Sequence, residues 1–140
     1  MTEYDQLMKI KRLQEQMALA RLNKAKDESG RLQRELREEQ NKEDRSKLLR
    51  EQIRLQSLDK LRAGGTHRES LIQHQTLTRS HAQEASLAQD TINNLGNKHH
   101  VSLLTQIQLN EIWGVRRKSL EKFDGLKTEI LAALRNIHGY

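Results

Sequence analysis

The 140-residue chain has no cysteine, no proline and only 3% aromatic residues. Without thiols there is no disulfide framework, no cysteine nucleophile and no Cys-ligated zinc or iron–sulfur centre. Without proline, the strongest helix breaker is missing over the whole length. Few aromatics and only two valines, Val101 and Val115, exclude most β-sandwiches and barrels, which draw on aromatic and β-branched residues. The longest apolar run is Met17-Ala18-Leu19-Ala20, far short of the roughly 18 residues a membrane span needs. The start, Met1-Thr2-Glu3-Tyr4-Asp5, is acidic and no apolar stretch follows it, so a cytoplasmic location, or export without a cleaved signal, is expected.

Charge and leucine make up what is present. Charged residues account for 31%, the net charge is +6 and the pI is about 9.8. Leu, Ile, Val and Phe together reach about 24%, above the level at which disorder becomes the default. The composition describes a helical, charged, elongated protein that is too polar for a large compact core.

Glycines supply the punctuation. Gly64-Gly65 suits a helix C-terminus, and Thr66 followed by Glu69 has capping-box spacing for a new helix. The expected organisation is one coiled-coil unit over 1–140: a helix over about 3–62, a turn at 63–66, and a helix over about 67–137. The first helix would be roughly 90 Å long. A short connection between long helices implies an antiparallel pair, so the fold class is all-α, a long antiparallel two-helix coiled-coil hairpin.

The second half carries a heptad. With Leu71 as a, the a/d series runs through His74, Thr78, His81, Ala85, Ala88, Ile92, Leu95, His99, Ser102, Gln106, Leu109, Trp113, Arg116, Leu120, Phe123, Lys127, Ile130, Leu134 and Ile137. The first half is less regular. Ile10, Leu13, Met17 and Ala20 form one seam; Leu22, Ala25, Leu32 and Leu36 a second; Leu48, Leu55 and Leu58 a third. Such offsets imply stutters. Between Arg37 and Lys47 there is no apolar residue, which predicts a solvated face with i,i+4 pairs such as Glu43 with Lys47.

A turn near residue 65 sets residue i opposite about residue 130 − i. Ile10 then faces Leu120, Met17 faces Trp113 and Leu7 faces Phe123, while 37–47 lies across from the small Ala82, Ala85 and Ala88. Asn93-Asn94 with Gly96-Asn97 predicts a kink or short interruption at 94–97. The surviving heptad favours that over a full break returning 101–137 as a third helix.

Chemistry-bearing clusters are sparse. His67, His74 and His81 are seven apart, about 10 Å along a helix, so one metal cannot take two of them, and no metal or cofactor site is expected. As d-position residues, His74 and His81 would weaken the pair when protonated below about pH 6. No phosphate loop and no His-Glu-x-x-His occurs, so no enzyme activity is expected. Basic residues are spread over both halves, and Arg116-Arg117-Lys118 is the only three-residue cluster. Nucleic-acid binding usually needs a clustered basic face with stacking aromatics.

The best candidate surface is a second apolar stripe. Trp113 and Phe123 fall in the seam, with Tyr140 near the same end, while Val101, Leu104, Ile112 and Val115 trace another face of the same helix. A helix apolar on two faces has a second partner. Ile130, Leu131, Leu134 and Ile137 overhang the first helix and would be exposed unless covered.

The stretch Tyr4-Asp5-Gln6-Leu7-Met8-Lys9-Ile10-Lys11-Arg12-Leu13-Gln14-Glu15-Gln16-Met17-Ala18 resembles the N-terminal pattern of the FliJ/YscO family: spaced apolar residues, a Lys-Arg pair, and Gln/Glu before a helical Ala. The length, lack of cysteine and hairpin architecture are similar too. That family forms the central stalk of flagellar and virulence type III secretion ATPases. The resemblance implies a coiled coil inserted in the pore of an ATPase ring and touching the export gate or chaperones. The location would be cytoplasmic and peripheral to a membrane-embedded assembly. By the resemblance, Leu7–Met17 against Trp113–Ile137 would enter the ring, with Arg116, Arg117 and Lys118 aiding by charge. The expected function is thus non-enzymatic protein binding. The competing readings are a structural homo-oligomer, such as a virion or scaffold component, and a basic nucleic-acid-binding helical protein.

Overall fold

A computed structural model describes residues 2–64 and 68–137. Gly65 and Thr66 of the expected turn, His67 at the expected start of the second helix, and the terminal His138 and Tyr140 lie outside these residues. Two helices account for nearly everything else: α1, Glu3–Gly64, and α2, Arg68–Ile137. They pack against each other as an all-α hairpin, and no strand occurs among the described residues.

Local chemistry explains where α1 starts. The Thr2 hydroxyl accepts from the Asp5 backbone N–H at 3.3 Å, and Asp5 accepts from the Thr2 backbone N–H at 3.4 Å and from its hydroxyl at 3.0 Å. This reciprocal box satisfies donors that the first turn leaves open. Glu3 and Asp5 in that turn, with Arg62 in the last, complement the helix dipole. In α2 the dipole is matched by Glu69 and Arg135. The threonines of α2 turn their hydroxyls back onto the helix: Thr76, Thr78, Thr91, Thr105 and Thr128 each donate to the carbonyl four residues earlier.

α2 runs without interruption through Asn93-Asn94-Leu95-Gly96-Asn97. Asn and Gly cost each helical position only about 0.5–1 kcal/mol relative to Ala. Ile92 and Leu95, turned inward at the same height, offset that cost.

The seam of α1 differs from the three offset series its leucines suggest. Its inward positions are Tyr4, Met8, Lys11, Glu15, Ala18, Leu22, Ala25, Ser29, Leu32, Leu36, Glu39, Glu43, Ser46, Arg50, Ile53 and Ser57. The steps alternate between four and three as far as Ser57; beyond it Leu58 and Leu61 are half-buried, so the register shifts near the end of α1. Ile10, Leu13 and Met17, which the hydrophobic pattern places in a seam, are on the outside, with Ile10 52% and Leu13 56% exposed.

On α2 the inward series from His81 to Lys127 follows the expected a/d positions, apart from the exposed Arg116. Before it, Ser70 and Leu77 turn inward and Leu71 and Thr78 outward, so α2 carries a stutter near His81.

The hairpin divides into two compact units, Met1–Gly30 with Val101–Tyr140, and Arg31–His100. The first buries Met8, Ala18, Leu22 and Ser29; the second buries Leu32 alone. Each fully buried leucine contributes about 2 kcal/mol. No helix among the described residues is long and apolar enough to cross a membrane.

Candidate protein-binding surface

In the first unit, polar and aromatic groups are turned inward. Tyr4 stacks on Phe123 with ring centroids 4.6 Å apart, and its hydroxyl donates to the Phe123 carbonyl at 2.7 Å. Burial, with Asp124 and Asp5 nearby, raises the pKa of the Tyr4 hydroxyl. The Lys11 ammonium sits 5.3 Å from the Phe123 ring centre and donates to the Ser119 hydroxyl at 3.0 Å. Lys127 lies 5.7 Å from the centre of the Tyr4 ring. Further along, the Trp113 indole N–H donates to the Glu15 carboxylate at 2.9 Å, and the Ser29 and Ser102 hydroxyls share a bond of 2.8 Å. No buried side-chain polar atom among the described residues lacks a hydrogen-bond partner.

These contacts give Lys11 and Glu15 reasons to be inside. An ammonium over an aromatic face and a carboxylate under an indole N–H are attractive pairs when partly shielded from water. They also refine the expected pairing, because Trp113 meets Glu15 rather than Met17, and Phe123 meets Tyr4 rather than Leu7.

The outside of the unit is apolar by contrast. Val101, Leu104, Ile112 and Val115 are all exposed, Val115 to 67%, and a groove of about 520 Å³ is bounded by Glu111, Ile112, Val115 and Arg116. Leu103 and Ile107, absent from the expected stripe, are exposed as well. Ile130, Leu131, Leu134 and Ile137 are exposed, since no described residue of α1 lies across from them.

The basic cluster is less free than its sequence suggests. Arg116 donates to Gln14 at 3.3 Å. Arg117 pairs with Glu121 at 3.3 Å and stands 5.4 Å from the centre of the Trp113 ring. Lys118 is exposed. Arg116 therefore links the two helices at the surface, while the Arg117 contacts stay within α2.

The second unit has a polar interior. Glu43 pairs with Arg50 rather than with the expected Lys47, and both side chains are mostly covered, at 17% and 13% exposure. Across from them Ala82 and Ala85 are small, and a groove of about 680 Å³ opens between Glu43, Arg50, Arg54, His81 and these alanines. Of the histidines, His74 shares a hydrogen bond of 2.9 Å with Ser57, and His81 lines the groove. No group of three His, Cys, Asp or Glu able to hold a metal occurs among the described residues.

The α2 stripe was legible from its helical spacing. The outward Ile10–Leu13–Met17 line was not, because a local pattern cannot distinguish an inner seam from an outer one. The one available signal was persistence: only the series through Met8, Lys11, Glu15, Ala18 and Leu22 continues in step to Ser57. No family model matches the chain, and neither a curated protein nor a solved structure does.

Proposed function

We propose that the protein is a non-enzymatic coiled-coil hairpin that works by binding other proteins. The observation that supports this most is residues 101–115 of α2. That stretch holds a single charged residue, Glu111, and exposes Val101, Leu103, Leu104, Ile107, Ile112 and Val115 while turning Leu109 and Trp113 inward. A helix that is apolar on two faces normally has a partner on each, and here α1 covers one. An exposed apolar patch flanked by polar groups is the usual mark of a protein interface.

The specific form of this reading is the central stalk of a type III secretion ATPase complex, supported by the resemblance of Tyr4–Ala18 to the FliJ/YscO family. In that role the first unit contacts the ATPase ring, and the basic Arg116, Arg117 and Lys118 steer the approach to acidic groups there. Its partners are the ring, the export gate and export chaperones. The direct check is co-purification with the secretion ATPase encoded in the same genome. Replacing Arg116, Arg117 and Lys118 by Glu should reduce capture at least tenfold, and Lys118→Glu alone should lower it without disturbing the Gln14 and Glu121 contacts. Equal capture by wild type and triple variant would remove the stalk assignment.

A further inference from the structure

The outer face of α1 carries a pattern that complements itself. In a coiled-coil helix every seventh residue returns to the same line. One such line on α1 is Glu3, Ile10, Met17 and Lys24, flanked by Gln6, Leu13 and Ala20 on one side and by Leu7, Gln14 and Arg21 on the other. All ten residues are exposed. The face thus begins with an acid, runs uncharged from Gln6 to Ala20, and ends with two bases. Of the other charges along this stretch, Lys11 and Glu15 are turned into the hairpin, and the exposed Lys9 and Arg12 lie on other lines of the helix, beside the face rather than on it.

A two-fold axis between Leu13 and Gln14 maps this face onto itself. It sets Glu3 opposite Lys24 of a second copy, Ile10 opposite Met17, Leu7 opposite Ala20, and Gln6 opposite Arg21. Charge meets opposite charge at both ends and apolar meets apolar between them, which is what an isologous contact requires. A parallel arrangement would set Glu3 against Glu3 and Lys24 against Lys24. We propose that a second copy of this chain docks antiparallel on the Glu3–Lys24 face of α1. Four large apolar side chains per copy make a contact below the standard interface of about 1,600 Å², so dimerisation is expected in the micromolar range. The proposal concerns α1 and does not depend on what binds α2.

Sedimentation equilibrium of the full chain from about 5 to 500 µM tests it. A monomer–dimer equilibrium is expected. Met17→Glu should weaken it more than tenfold. Lys24→Glu should weaken it by roughly 3–10-fold through two lost pairs, and adding Glu3→Lys to Lys24→Glu should restore the wild-type constant. Since the chain lacks cysteine, an equimolar mixture of Ile10→Cys and Met17→Cys should form a mixed disulfide on oxidation, and neither variant alone should do so. Circular dichroism melts should be nearly unchanged, because these side chains point away from the hairpin seam; only Glu3→Lys, which puts a base in the first turn of α1, should lower the melt slightly. A chain that stays monomeric at 500 µM, a double charge variant that is no tighter than Lys24→Glu, or crosslinking of like with like would each overturn the proposal. Loss of ATPase capture would leave these readouts unmoved, so the two readings fail separately.

Discussion

Residues Met1–Gly30 with Val101–Tyr140 close around Leu22, 1% exposed, with Met8 and Ala18 beside it, whereas in Arg31–His100 Leu32 alone among the described residues is buried and the middle of its α1 seam, between Leu36 and Ile53, consists of Glu39, Glu43, Ser46 and Arg50. Both units are built from the same two helix types with the same seven-residue period. What differs is the inward residue. In the first unit, charged groups that enter the seam find an aromatic ring, an indole N–H or a hydroxyl across the hairpin. In the second, Glu43 and Arg50 find each other on their own helix and face alanines. A cross-helix polar contact ties the hairpin together; the second unit has one between Ser57 and His74 at 2.9 Å, but at Glu43 and Arg50 the contact stays within one helix and leaves the other unheld. Local opening should therefore begin in the second unit.

Four changes would break or sharpen this contrast. The largest is Leu22→Ala, which should cost the first unit about 2–4 kcal/mol, since the side chain is enclosed and the helices cannot collapse far. Urea unfolding with hydrogen exchange on both units would show the first falling toward the second. Next is the joint change Glu43→Leu with Arg50→Leu, which replaces a mostly covered ion pair by apolar contact with Ala82, Ala85 and Ile92. It should stabilise the second unit by about 1–3 kcal/mol, read as slower exchange of 40–54; Arg50→Leu alone should destabilise it, by stranding Glu43.

Smaller effects come from glycine and from pH. An added Cβ at Gly30 or at Gly96 meets nothing within 4 Å, so Gly30→Ala and Gly96→Ala should each raise stability by about 0.5–1 kcal/mol through helix propensity. A melting temperature that falls in either variant would show a need for glycine there. The smallest effect involves Glu51, whose carboxyl is held below the ordinary range by hydrogen bonds from Arg54 at 2.6 and 3.1 Å. A lowered carboxylate pKa adds stability above the ordinary range and loses it as the carboxylate protonates. Acid titration through the carboxylate range should therefore soften the second unit slightly, and Glu51→Gln should remove that pH-dependent component while changing the melting temperature at pH 7 very little, because the pair is exposed.

Much of the fold was legible in the sequence, for reasons that can be assigned. The absence of proline and the glycine at Gly64 mark a long first helix, and the a/d series from Ala85 to Leu109, apolar except at His99, Ser102 and Gln106, is the inward series of α2. The seam of α1 was not legible, because its most apolar local line, Ile10–Leu13–Met17, faces outward while Lys11 and Glu15 face inward. Their partners, Phe123, Ser119 and Trp113, are about a hundred residues away in sequence, and hydrophobic periodicity carries no information on such pairs. On α2 the same periodicity located Val101, Leu104, Ile112 and Val115 correctly as an outer face, since the inner one was already occupied by Ser102, Leu109 and Trp113. The basic cluster read as a free patch because sequence does not show Gln14 and Glu121 reaching Arg116 and Arg117.

The most direct measurement compares stability and partner capture on one variant, Leu104→Lys with Val115→Lys. Both side chains lie outside the hairpin seam, so the melting temperature should stay within about 2 °C of wild type, while under the proposed stalk role capture of a secretion ATPase should fall at least tenfold. A drop of many degrees would make this face part of the fold, and unchanged capture would deny it the role of a binding surface.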